Sequence, residues 1–458
     1  MFSEFRNGRT SSCSTLLTLT LALGWLSLLG MVAAPPESPP SFPDGVRIYD
    51  IPWLGCALLG TLVLARSGQY PRVSGAALLA AYVGYIGVAL ILPILGLILV
   101  PQAELAWYLG DLRWIQVLFI ALILIFGYAP SDYSRFQLHL SWFLLALMGL
   151  NATVLGAQLW LQNVGTVAPA ILDLWYPSES SGYGRYGFHI NRYAAAATHP
   201  SGLALIGGVF LLTGLLSDGE RWRLYLITFA GLVFVVASGN RSLIFGLPVM
   251  ISLIVFVRIA LTGRMQRLRW TSIVFALLAI STIAWAALNI SFGRMISGDN
   301  RLTRPFEVII GDATFQVVSG RGGERWLQPI RESQDWTPLG TLVNPAHALS
   351  ELPPFDSMYV FLFAQAGPIL LGAYFVLFIT LAYYAWRTWQ RNRSAGALPI
   401  AVVSCFFLVS ITQNLITGMT GRVLLTLAVI QLVLAMTHFE ASGRRKKAQG
   451  SRQSTGGT

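Results

Sequence analysis

Charge is scarce in this 458-residue sequence: Asp, Glu, Lys and Arg together make up 11% of it, against roughly a quarter in soluble globular domains. Such a share excludes a chain built of soluble domains. Lysine is nearly absent, confined to Lys446 and Lys447. All remaining fixed positive charge is arginine, the base suited to bidentate contact with phosphate or carboxylate; codon usage in a GC-rich genome is the competing cause of that skew. The three cysteines, Cys13, Cys56 and Cys405, fall in the N-terminal tail and in two apolar runs, so no disulfide framework is expected. No Asp-x-Asp pair, zinc-type His/Cys spacing or P-loop occurs, which leaves a metal clamp or nucleotide cradle without obvious ligands. Neither internal repeats nor the inverted symmetry of transporters is visible.

Apolar residues fill the space that charge leaves, at 55% of the chain. Stretches long enough to cross a bilayer predict an all-α, polytopic transmembrane helical bundle of about twelve spans. These fall near 15–34, 51–65, 74–99, 112–128, 137–160, 192–216, 224–239, 242–262, 270–290, 358–386, 397–417 and 421–438. Arginines alternate between the gaps, at Arg6 and Arg9, Arg66 and Arg72, Arg135, Arg221 and Arg223, Arg264 to Arg269, Arg387 to Arg393, and the Arg444 to Lys447 tail. By the positive-inside bias these gaps and both termini are cytoplasmic. The resulting organisation is a tail over 1–14, nine helices within 15–290, a large outer loop over 291–357 between spans 9 and 10, three helices within 358–438, and a basic tail over 439–458. The net charge of +11 is then topogenic, the bilayer is the partner it implies, and no nucleic-acid partner is needed. The run from Arg6 to Ala34 looks like a signal peptide, but Pro35-Pro36 disfavours cleavage, so an uncleaved anchor is expected.

Polar residues concentrate at the outer ends. Gly182 to His189, with Arg185 inside it, is a Gly/aromatic stretch suited to an adaptable binding lip, while Trp175, Tyr176 and Tyr186 also suit an interfacial aromatic belt. Asn191-Arg192-Tyr193 leads into four alanines and Thr198-His199-Pro200, where the proline predicts a kink about two turns down and a polar pocket. His199 suits either that pocket or a hydrogen bond between helices. Ser238-Gly239-Asn240-Arg241-Ser242 is squeezed between two apolar runs, the first too short to span comfortably, so Arg241 is expected at membrane depth. A charge there costs about 2.5 to 3.5 kcal/mol on insertion scales.

Arginines at a hydrocarbon boundary suit a polyisoprenyl diphosphate, whose head is polyanionic and whose tail stays in lipid. Glycosyl transfer from such a lipid needs charge stabilisation at the leaving diphosphate, supplied by Arg192 and Arg241, and a group to steer or take the acceptor's proton, for which Asp356 and His347 are candidates. Arg321, within Gly320-Arg321-Gly322-Gly323, can approach a ligand closely, although a flexible turn explains those glycines equally well. A metal-free, cofactor-free mechanism is expected.

The order Asn191-Arg192, Ser238-Gly239-Asn240-Arg241-Ser242, Ser319-Gly320-Arg321 with Trp326, Pro338-Leu339-Gly340, and Asp356-Ser357-x-Tyr359 with Gly367 resembles the bacterial O-antigen polymerase and ligase superfamily, over roughly 185–375. The resemblance implies a GT-C-like glycosyltransferase of the inner membrane, acting without metal on undecaprenyl-diphosphate-linked glycans at the periplasmic face, with a chain-length regulator as candidate partner. It also implies diphosphate contacts for Arg192 and Arg241; Arg321 is a further diphosphate candidate, and Tyr359, His199 and Arg185 are candidates for positioning the substrate. Ligases carry a histidine where this chain has Asp356, and Gly372 arrives later than their second glycine; an aspartate there suits polymerases. A ligase transferring glycan to lipid A core or protein, a transporter or flippase, and a non-enzymatic scaffold stay as alternatives.

Overall fold

The computed structural model describes residues 10–33, 47–67, 74–99, 105–128, 132–164, 169–176, 192–197, 199–218, 221–240, 243–244, 246–248, 250–252, 358–410 and 418–454. Among these the architecture is all-helical, without a strand. A chain with so few charges satisfies its backbone internally, and helices achieve this within one segment. The helices are α1 (Thr10–Ala33), α2 (Asp50–Ser67), α3 (Ala76–Leu99), α4 (Leu105–Gly127), α5 (Tyr133–Asn163), α6 (Ala170–Trp175), α7 (Pro200–Leu216), α8 (Arg221–Ser238), α9 (Met358–Arg391), α10 (Arg393–Ser410) and α11 (Met419–Ser454). Six contain segments long and apolar enough to cross a membrane: Thr15–Ala33, Ala76–Gly96, Tyr133–Asn163, Gln365–Arg391, Arg393–Ser410 and Met419–Arg444. Four of the remaining expected spans correspond to shorter apolar helices, Asp50–Val63, Arg113–Gly127, Pro200–Leu216 and Trp222–Ser238.

Long-range hydrogen bonds define two ends. At one, called the mouth here, Ser27 donates to the Tyr49 carbonyl at 3.4 Å, Trp175 donates its indole N–H to Ala33 at 3.1 Å, and the Tyr176 hydroxyl donates to Ala195. At the other, Trp389 donates to the Leu216 carbonyl at 3.1 Å, Arg393 pairs with Asp218 at 3.4 Å, and the Ser74 N–H reaches Thr437 Oγ1 at 3.0 Å. Between them α7 and α8 cross so closely that Gly207 and Gly231 abut each other's backbone, where any side chain would collide with the facing helix. Small residues at such a crossing allow close van der Waals packing. It sets the start of α7 beside the end of α8.

Three local expectations require correction. The run 192–216 is not one helix: residues 192–194 are non-helical, Ala195–Ala197 form a 3-10 turn, and α7 begins at Pro200. Pro200 initiates rather than kinks, because the first helical position has no use for the missing N–H. The expected span 358–386 is broken at Ala366 and Gly367, whose backbone angles are non-helical. Trp175 and Tyr176 are buried rather than set in an aromatic belt. Separately, α11 continues as helix through Ser454, over most of the basic tail.

Candidate functional site at the mouth

The C-terminus of α8 turns through Ser238-Gly239-Asn240. Gly239 adopts φ +58°, a left-handed conformation that stops helices and that glycine takes without a Cβ clash. Asn240 then restarts the chain: its Oδ1 accepts the Leu243 N–H at 3.2 Å, and its carbonyl accepts the Ile244 N–H at 3.0 Å. Ser238 braces the turn by donating to Val235 O at 2.7 Å and accepting the Asn240 N–H at 3.3 Å. Both polar side chains are buried, so the turn is an internal feature of the bundle.

Onto it lies the non-helical segment that begins at Arg192. The Tyr193 N–H donates to Ala237 O at 3.0 Å, and the Arg192 guanidinium donates to Gly239 O at 3.4 Å. Two further residues hold this segment. Ala195 sits at φ +48°, a conformation costing roughly 1–2 kcal/mol for a residue with a Cβ. Its N–H donates to Gln158 Oε1 at 3.1 Å and its carbonyl accepts the Tyr176 hydroxyl, so the strain is held by buried hydrogen bonds.

His199 stands one residue before α7 and caps it. Its Nδ1 accepts the Ser201 backbone N–H at 3.0 Å, with the Ser201 hydroxyl also against it. An Nδ1 that accepts carries no proton, which fixes the neutral ring's hydrogen on Nε2. Burial first, and the nearby Arg192 charge second, disfavour the imidazolium and lower the pKa to about 4.

α9 reaches the mouth as a hairpin. Tyr359 stacks on Phe375 with ring centroids 5.7 Å apart and planes 9° off parallel; in a straight helix residues so far apart in sequence would stand about 24 Å from each other. The short arm before Gly367 therefore folds back along the long arm. Met358, at its tip, is buried, and its sulfur accepts the Ser410 hydroxyl at 3.6 Å. The top of α10 in turn meets the segment after Asn240, through Leu408 against Gly246.

Among the sequence candidates, Arg192 and His199 thus come together beside the 238–240 turn. Tyr359 lies half-buried in an aromatic cluster with Tyr374 and Phe375. Arg185, Arg241, Arg321, His347 and Asp356 lie outside the described residues. Two features escaped sequence reasoning. Gln158 and Ala195 gave no local signal, since their pairing is a tertiary event. Arg422 did give one, as an arginine just inside an apolar run: it is 2% exposed, with its guanidinium 4.9 Å from the centroid of the Trp114 ring. Among the described residues, no three His, Cys, Asp or Glu side chains gather in a way that could hold a metal ion.

No protein-family model matches the chain, and no curated protein matches it. Among the described residues, fold and site define an all-helical protein with six helices long and apolar enough to cross a membrane and, at one end, an arginine-bearing segment with a left-handed alanine packed on a buried turn.

Proposed function

We propose that the chain is a membrane glycosyltransferase that polymerises undecaprenyl-diphosphate-linked oligosaccharide repeat units, with about twelve spans, cytoplasmic termini, and the mouth and long loop on the periplasmic side of a bacterial inner membrane. The observation that carries this reading is the hydrogen bond from Arg192 to Gly239 O. Arg241 follows Gly239 by two residues, so covalent geometry keeps its Cα within about 7.6 Å of Gly239's. This supports two arginines almost fifty residues apart in sequence acting on one diphosphate. Asp356 lies two residues before buried Met358, whose partner Ser410 ends the helix that meets the segment after Asn240.

In the proposed reaction an acceptor hydroxyl oxygen attacks the anomeric carbon of the donor sugar. The bond from that carbon to the diphosphate oxygen breaks, and the departing negative charge is taken up by Arg192 and Arg241. The hydroxyl proton passes to Asp356 or His347. Arg321, Tyr359 and Arg185 position sugar, and the neutral Nε2–H of His199 is a donor beside the leaving group.

Purified protein supplied with undecaprenyl-diphosphate oligosaccharide should yield a ladder of chain lengths. Arg241→Ala should lose on the order of 3 to 4 kcal/mol of transition-state stabilisation, by analogy with oxyanion donors. A full ladder from Arg241→Ala at normal membrane levels would remove the proposed role. Transfer of finished polymer to lipid A core, without chain extension, would make the protein a ligase.

A further inference from the structure

A second basic corner lies at the mouth, formed by the segment before α2 and by α4 and α11. Arg113 places its guanidinium 5.7 Å from the centroid of the Tyr49 ring, and the charges of Arg113, Asp50, Arg47 and Arg422 all reach the Tyr49 phenol. Among the described residues the acid at this corner, Asp50, is otherwise engaged. Asp50 accepts the Arg47 backbone N–H at 2.7 Å through Oδ2 and the Gln116 amide at 2.9 Å through Oδ1. Among the described residues, neither Arg47 nor Arg113 forms an ion pair with a carboxylate. Among the described residues the buried Arg47 Nε has no acceptor. Guanidinium groups that outnumber the carboxylate beside them at the edge of an apolar bundle are costly, and a buried donor left without a partner costs about 1 to 3 kcal/mol more. An anion brought from outside the chain would offset both.

The flank of this corner indicates the anion's carrier. Directly beyond Arg47, the residues Ile51, Leu54, Leu58 and Leu62 are all exposed, and their spacing puts them on one face of α2. Eleven residues of helix make this stripe about 16 Å long, close to half of the roughly 30 Å hydrocarbon core of a bilayer. Exposed Ile48 and Ile115 border its upper end. A charged, hydrogen-bond-poor corner thus stands at the head of an apolar track one leaflet deep.

We propose that Arg47 and Arg113, backed by the buried Arg422, hold the phosphate of a membrane lipid whose hydrocarbon chain lies along the Ile51 to Leu62 face. The site is separate from the Arg192 turn and does not depend on the glycosyltransferase reading. The recognised chemistry is a lipid-borne phosphate with net negative charge, and both an anionic phospholipid and a polyisoprenyl phosphate present it.

The test uses the full chain purified in detergent, with thermal unfolding and native mass spectrometry as readouts. Phosphatidylglycerol should raise the melting temperature and survive as a bound adduct, whereas phosphatidylcholine at equal concentration should do neither. Arg47→Gln/Arg113→Gln should weaken phosphatidylglycerol binding on the order of tenfold or more. Arg223→Gln, at the opposite end, should leave it unchanged. A double variant that is too unstable to purify is replaced by the two single variants, each of which should lower adduct occupancy. Displacement of phosphatidylglycerol by undecaprenyl phosphate identifies the carrier lipid as the preferred occupant, and resistance to it identifies the phospholipid; both outcomes support phosphate recognition. Equal stabilisation by both phospholipids, or undiminished adducts in the arginine variants, would overturn the proposal. Both readouts report binding alone, so a chain inactive in glycan polymerisation would still decide it.

Discussion

Gly367→Ala is the substitution whose consequences are largest for its size. Gly367 has φ +62° and ψ −158°, a region essentially reserved for glycine, where a side chain costs on the order of 1 to 3 kcal/mol. That penalty acts on the one joint that folds the arm from Met358 to Gln365 back along the rest of α9. The arm is held by burial of Met358, Phe361 and Leu362, by the Tyr359–Phe375 stack, worth about 0.5 to 1.5 kcal/mol beyond its buried area, and by the Ser410–Met358 contact. The penalty opposes that burial at a single joint, so the hairpin should open more often than in the native chain. Opening swings the tip of the arm, some eight residues or about 12 Å long, away from Ser410. A Met358→Cys/Ser410→Cys pair reads this directly. In the otherwise native chain a short bifunctional thiol reagent should join the two positions, whose native side chains touch at 3.6 Å, and adding Gly367→Ala should lower the yield. Glycan polymerisation should fall in parallel, because Asp356 is tethered to the same tip. Equal cross-linking with and without Gly367→Ala would refute the reasoning, as would failure of the pair to cross-link in the native background.

Other expectations test the Arg192 segment. Arg192→Lys should sharply reduce polymer in a reconstituted assay while preserving membrane levels, because an ammonium cannot reproduce a guanidinium's fork; full activity would exclude a bidentate role. Gln158→Leu leaves the Ala195 N–H without its acceptor, and should destabilise the protein by about 1 to 3 kcal/mol in thermal unfolding. His199→Ala should cost about 1 kcal/mol through the lost cap, and His199→Asn should recover most of it. Because burial and Arg192 lower the His199 pKa from 6.5 to about 4, the unfolded chain takes up this proton first as pH falls. The stability due to the neutral cap is complete above pH 6.5 and should decline between 6.5 and 4. A stability difference between wild type and His199→Asn that stays constant across that window would contradict the cap.

Helices were legible because length and apolarity alone decide whether a segment can cross lipid. Their ends were less so. Pro200 was misjudged as a kink because proline at a first helical turn and proline inside a helix look alike until the preceding residues are seen to leave the helix. The Gly367 break hid within a continuous apolar run, where hydropathy carries no sign of a reversal in direction. Residue type makes Trp175 and Tyr176 suit a binding lip or a lipid interface alike, whereas their polar atoms reach the backbone carbonyls of Ala33 and Ala195, which no local pattern announces. Arg192 donates to Gly239 O in the 238–240 turn. The device that holds it there, Gln158 and Tyr176 on a left-handed alanine, is a contact between distant segments and left no trace in the sequence.

The central claim, that Arg192 and Arg241 share one cavity open to the periplasm, is tested most directly by an Arg192→Cys/Arg241→Cys pair in intact cells. Both thiols should react with a membrane-impermeant maleimide added from outside, and a bifunctional reagent spanning about 10 Å should bridge them. Labelling only after the cytoplasmic face is exposed, or two reactive thiols that no short reagent can join, would contradict the account.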